Sequence, residues 1–147
     1  MKTLFSLILL FASFFAGAQT PDPVKWQFWA EKESDGQTYT LYAKASITPG
    51  WHVFSLNPGG DGLLIPTGLT IENREQYRDV GALTVEGKEV RKEMEGMGMV
   101  SYYEYEAVFK LSLIPYKPGT ASGFVSFQVC NDRMCLPPAE VPFSVKL

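Results

Sequence analysis

The sequence is poor in the side chains that build metal and nucleophilic sites. It has one histidine, His52, and two cysteines, Cys130 and Cys135, in 147 residues. A structural zinc site takes about four ligands, and one His with two Cys falls short. No thioredoxin-type C-x-x-C, phosphate loop, paired-carboxylate motif or Ser-His-Asp ordering stands out. Basic charge is also scarce: 13 Lys and Arg face 16 Asp and Glu, for a net charge of −3. Phosphate contacts need clustered Lys and Arg, so nucleic acid is excluded as a partner. Long apolar runs are missing apart from residues 4–15, which are too few for a comfortable membrane span. Sustained helical periodicity is missing as well. Only "NREQYRD", residues 73–79, is expected to form a short helical piece.

The apolar run has a different explanation. Lys2 precedes it, and the small residues Ala16, Gly17 and Ala18 follow. That is the layout of a secretory signal peptide. Cleavage is expected after Ala18, which divides the chain into a signal segment, 1–18, and one domain, 19–147. No cysteine borders the cleavage site, so neither a lipid anchor nor stable membrane insertion of the processed chain is expected. Export places the cysteines in an oxidising compartment, where they can pair. A domain of this length can bury a real core.

What is abundant is alternation with period two, the mark of half-buried strands. In "VKWQFWAE", Val24, Trp26, Phe28 and Ala30 share a face; in "YTLYAKASI", Tyr39, Leu41, Ala43, Ala45 and Ile47 do. "YEYEAVFKLSL" places Tyr103, Tyr105, Ala107, Phe109, Leu111 and Leu113 together. "GFVSFQVC" and "VPFSVKL" read the same way, and "WHVFS", "LTIEN" and "ALTVEG" are shorter candidates. Turn formers separate them: Ser34-Asp35-Gly36, Thr48-Pro49-Gly50, Asn57-Pro58-Gly59-Gly60 and Lys117-Pro118-Gly119. Seven or eight short strands with frequent turns predict an all-β, immunoglobulin-like antiparallel β-sandwich in a single domain.

The cysteines lie in "FQVCNDRMCLPP". Cys130 ends a strand, "NDRM" carries turn chemistry, and the chain then returns towards Pro137. A four-residue hairpin loop sets the two cysteines opposite each other, at a spacing that suits a disulfide. Pro137 and Pro138 donate no ladder hydrogen bonds, so this segment belongs at an exposed edge or sheet end. Closing so short a loop stabilises by only about 2 kcal/mol on the entropic account, whereas a 100-residue loop gives roughly 4.7. Such a bond near an exposed tip is either an inert local staple or one that is made and broken. Spacing alone leaves both open.

The residues around the cysteines extend the reading. "VSFQVCNDRMCLPPAEVPFSV" resembles the end of the N-terminal periplasmic domain of the bacterial transmembrane thiol:disulfide reductase DsbD, and "ITPGWHVFSLNPGGDGLLIPTGLTI" resembles an earlier part. The resemblance implies an immunoglobulin-like fold and a periplasmic thiol:disulfide oxidoreductase domain that relays electrons. Cys130 and Cys135 would be the redox pair, with no other cofactor, and Cys135 the sulfur attacked in mixed disulfides. The implied partners are thioredoxin-fold periplasmic proteins and a DsbD-like membrane reductase. His52 and Phe54 fall where the family places aromatic residues beside the disulfide. Glu93, Met94 and Glu95, in "RKEMEGMGM", fall where it has a cap loop over the active site. The sequence departs from the family in two ways. The cysteines are one residue closer than in its best-known member, and the usual cap aromatic is missing.

Some features admit other uses. His52 is either a packed residue or an imidazolium that lowers a cysteine pKa. Met94, Met97 and Met99 either cover the core or bind Cu(I), which thioethers select. Trp26, Phe28, Trp29, Trp51, Tyr102 and Tyr103 are expected in the core or on sheet faces. The competing functions are therefore an exported binding module with an inert disulfide and a methionine-based Cu(I) carrier.

Overall fold

The computed structural model describes residues 21–147. The expected signal segment lies outside the described residues. The predicted all-β fold is what the chain adopts. Its strands are β1 (Val24–Lys32), β2 (Tyr39–Ile47), β3 (His52–Gly59), β4 (Gly68–Ile71), β5 (Tyr77–Val80), β6 (Thr84–Met94), β7 (Gly98–Pro115), β8 (Thr120–Phe127), β9 (Val129–Cys130) and β10 (Ala139–Lys146). They form two antiparallel sheets, one of seven strands and one of three.

The long strand β7 organises the larger sheet. Along one edge it pairs with β2 (Leu113 to Glu106) and then with β3 (Tyr103 to Val100). Along the other it pairs with β6 and β5. The turn at 48–51, closed by Trp51 N–H donating to the Thr48 carbonyl at 3.0 Å, lets β3 continue where β2 stops. β1 and β9 are the ends of the path β1-β2-β7-β3-β9. The smaller sheet, β10-β8-β4, covers the inner face. Alternation puts Leu41, Ala43 and Ala45 of β2 against Ala121, Val125 and Phe127 of β8, through Phe109 and Leu113 of β7; all are buried. Each fully buried Leu or Phe contributes roughly 1.5–3 kcal/mol. Trp26 packs edge to this core, 5.2 Å from Phe127 and 5.8 Å from Phe109 between ring centroids. Gly123 is required where β4 and β8 meet, because a Cβ there would lie 1.8 Å from the Thr70 carbonyl oxygen.

Four sequence expectations change. Residues 73–79 make only one 3-10 turn, Arg74–Gln76, before Tyr77 begins β5. The buried Tyr77 ring anchors the segment to the Leu111 and Leu113 cluster, and sheet pairing replaces the helix. Tyr105 does not share the buried face of Tyr103 and Ala107. Three residues of β7 stand opposite one of β6 at this point, a bulge between Gly87 and Glu89. Tyr105 takes φ +65° there and is 66% exposed. "GFVSFQVC" is not one strand: β8 belongs to the small sheet, and β9, beyond Gln128, crosses to the large one. Finally, "ALTVEG" is only the start of an eleven-residue strand, β6.

The crossing at Gln128 positions the site. At this end of the large sheet both faces are covered, so four consecutive residues, His52 to Ser55, are all buried. Val53, Tyr103 and Val129 face the main core. Phe54, Val100, Tyr102 and Cys130 face outward, into a separate apolar cluster.

Candidate functional site

The disulfide hairpin is built from local chemistry. Asn131 Oδ1 accepts hydrogen bonds from the backbone N–H of Arg133 (2.8 Å) and Met134 (2.9 Å). Asn131 N–H donates to the Met134 carbonyl, and Leu136 N–H to the Val129 carbonyl, each at 2.9 Å. These bonds close the turn expected over "NDRM". They bring Cys130 and Cys135 face to face, 4.0 Å apart at Cα and joined by a disulfide. The two halves of the bond are not equivalent. Cys130 is 2% exposed, held on β9 in register with His52 of β3. Cys135 is exposed, as are Pro137 and Pro138 beyond it.

A cover lies over the buried half. The cluster of Phe54, Val100, Tyr102 and Cys130 is packed by Leu64, Val90, Met94 and Met97. The cap expected as a loop over 93–99 is instead the tip of the β6–β7 hairpin. Met94 pairs with Gly98, and Met97 N–H donates to the Met94 carbonyl at 3.0 Å. Alternation along β6 turns Met94 inward and leaves Glu93 and Glu95 exposed on the rim. The end of β3 locks against this hairpin: Gly60 N–H donates to the Met99 carbonyl at 3.0 Å. Gly59, at φ +72°, leaves room for that oxygen, which a Cβ would approach to 2.6 Å.

All seven residues singled out from the sequence line one cleft of about 320 Å³: Cys130, Cys135, His52, Phe54, Glu93, Met94 and Glu95. Leu64, Lys92, Met97, Asn131 and Asp132 line it too. Of these, Leu64 and Lys92 were not singled out from the sequence, although each lies in a stretch that resembles the family. Met94 and Met97 pack on the aromatic cluster, whereas Met99 is 54% exposed. The three thioethers therefore do not converge on a point.

The charges around the cleft are mostly acidic: Glu93, Glu95 and Asp132 against Lys92. His52 is 6% exposed, its ring 4.2 Å from Tyr102 and 5.6 Å from Phe54 between centroids. Burial pushes its pKa below the ordinary 6.5; Asp132 opposes this and Lys92 adds to it. Burial thus favours the neutral ring at pH 7 over a standing imidazolium. Burial, then Glu104 and Asp132, raise the Tyr102 pKa, so its hydroxyl stays protonated.

The site is a covered, asymmetrically exposed disulfide at the edge of an immunoglobulin-like sandwich. Known proteins share the family and the fold. Residues 19–146 match the family described as thiol:disulfide interchange protein DsbD, N-terminal. The chain belongs to that family. The fold resembles the N-terminal periplasmic domain of ScsB from Proteus mirabilis, with TM-score 0.65 and 16% identity over 86% of this chain and 47% of that one. It therefore spans about half of that protein's solved chain. It also resembles the Neisseria meningitidis DsbD N-terminal domain in its reduced form, with TM-score 0.62 and 13% identity over 84% of this chain and 85% of that one. No curated protein matches the sequence. Among the described residues, no helix is long and apolar enough to cross a membrane.

Proposed function

We propose that this chain is an exported, periplasmic domain that relays electrons by thiol–disulfide exchange through Cys130 and Cys135. Residues 1–18 act as its signal peptide. The observation that carries the reading is the asymmetry of the bond: one enclosed cysteine and one open one, at the edge of a single cleft. Family membership supports the chemistry.

In the reducing half-cycle a partner thiolate attacks the Cys135 sulfur in line with the disulfide. The Cys130–Cys135 bond breaks, Cys130 leaves with the electron pair, and a mixed disulfide forms at Cys135. A second partner thiol then attacks its own sulfur in that bond. The partner leaves oxidised, and the domain holds two thiols. In the second half-cycle Cys135 attacks an acceptor disulfide, and Cys130 resolves the adduct. The reductant's dithiol lies outside this sequence, which has no other cysteine. The partners are thioredoxin-fold periplasmic proteins on the acceptor side and a DsbD-like membrane reductase on the donor side. Docking involves exposed apolar side chains: Met134 of the disulfide turn, and Leu63 and Ile65, which flank Leu64 of the cleft. Met94 and Met97 shield the buried sulfur from small thiols until a partner displaces the hairpin tip.

The test is a trap. Cys130→Ser removes the resolving thiol, so a covalent adduct on Cys135 with a thioredoxin-fold protein should accumulate and be visible on a non-reducing gel. The inert-staple reading predicts no such adduct and a potential below about −300 mV against glutathione.

A further inference from the structure

The exchange reading leaves one proton unassigned. Cys130 must give up its thiol proton each time it resolves a mixed disulfide, and it must do so while almost fully enclosed. Apolar burial disfavours a thiolate. Phe54 and Val100, which share its cluster, offer no base, and the raised Tyr102 hydroxyl keeps its own proton.

We infer that the imidazole of His52 is the proton acceptor for the Cys130 thiol when Cys130 displaces a partner from Cys135. His52 is the residue paired with Cys130 across β3 and β9. Its side chain lines the same cleft as both cysteines and is fixed between Phe54 and Tyr102. The neutral ring has a free lone pair to offer at pH 7, since burial holds its pKa down. The charges that face this pair are Lys92, Glu93 and Glu95 from the cap hairpin and Asp132 from the disulfide turn; Glu104 of β7 acts on the neighbouring Tyr102. Most are acidic. They oppose a thiolate at the cysteines, which makes a local acceptor for its proton necessary.

The Cys130 sulfur donates an electron pair to the Cys135 sulfur, and the bond from Cys135 to the partner breaks. The partner leaves as thiolate with that bond's electron pair. The Cys130 proton passes to His52, which becomes imidazolium and then releases it to water or to the departing thiolate. In reverse, the imidazolium protonates Cys130 as it leaves.

This inference rests on the exchange reading, but its test uses no protein partner. The reduced domain is mixed with glutathione disulfide, and samples are quenched in acid and weighed by mass spectrometry. Decay of the glutathione adduct reports the resolving step. Wild type should resolve at a rate nearly constant from about pH 7 to 8. His52→Phe and His52→Gln should resolve at least tenfold more slowly at pH 7, within the usual range for loss of a general base. Their rates should rise about tenfold per pH unit towards the thiol pKa, ordinarily near 8.5. In a Cys130→Ser background, where only Cys135 reacts, His52→Gln should leave adduct formation unchanged. Near-ultraviolet circular dichroism identifies the variant that keeps the native cluster, and that variant decides. Equal resolving rates and pH profiles in wild type and variant would overturn the assignment, as would an equal slowing of adduct formation in the Cys130→Ser background. Failure to trap a thioredoxin-fold partner would instead defeat the exchange reading and leave this result standing.

Discussion

Two turns of this molecule are closed by the same device and put to different ends. Between β1 and β2, Asp35 Oδ1 accepts the N–H groups of Gln37 (2.9 Å) and Thr38 (2.8 Å). Beyond β9, Asn131 Oδ1 accepts those of Arg133 and Met134 at almost the same distances. The first turn is exposed, tied to β5 by Arg78 donating to Gln37 at 3.0 Å, beside a cleft of about 280 Å³ that Lys32, Tyr39 and Tyr116 also line. The second has a disulfide at its base and an apolar cover beside it. The clamp is local in both; what differs is the surroundings that distant segments bring. The clamping residue differs too. Asp35 is a carboxylate held at a pKa of about 2, chiefly by the Thr38 hydroxyl and then by the two amides. Asn131 makes the same amide contacts with no charge, so the clamp adds no carboxylate to the acidic surround of Cys135.

The comparison can be broken most strongly at the cover. Met94→Ala combined with Met97→Ala should make the second turn as open as the first. Reduction of the disulfide by dithiothreitol should then accelerate roughly tenfold, since lability follows exposure. Urea melts should show a loss of roughly 1–2 kcal/mol per methionine, below the 2–5 typical of fully buried sites. Unchanged reduction kinetics would show that the methionines do not shield the bond. A smaller effect is expected from making the clamps alike. Asn131→Asp should slow attack of an anionic thiolate on Cys135 by about fivefold at low salt, equivalent to about 1 kcal/mol of repulsion at an effective dielectric near 20 or above. Added salt should remove much of it; a rate independent of salt would contradict this account. The smallest effect belongs to Asp35→Asn. The Asp35 pKa is lowered on folding from 3.8 to about 2. Its contribution to stability is therefore complete above about pH 4 and is lost as pH falls towards 2. The variant should be less stable at pH 7 and flatter across that acid window, as followed by thermal melts.

Much of the fold was legible because strand alternation and turn chemistry are local. β1, β2, β8 and β10 lie where the period-two runs placed them, and "NDRM" closes the cysteine hairpin. Tyr105 was not legible, because its backbone reversal comes from a bulge that depends on the register of β6 against β7. The break at Gln128 was hidden for a similar reason: a strand that changes sheets keeps its alternation. Of the cleft, the cysteines were legible from spacing alone. Phe54 and the Glu93, Met94 and Glu95 stretch were legible only through family resemblance, and His52 through that and as the one histidine. Leu64 and Lys92 were not singled out even within those stretches, since only the folded chain shows which of their side chains reach the cysteines.

By itself, the sequence determined an all-β chain and a six-residue disulfide hairpin, because side-chain alternation and an Asn-headed turn act over a few residues. Only the tertiary structure decided which cysteine is open, that His52 stands opposite the enclosed one, and that its neutral ring is favoured. Those properties depend on burial, and burial here is made by the β3–β4 loop and the β6–β7 hairpin, both far along the chain from Cys130.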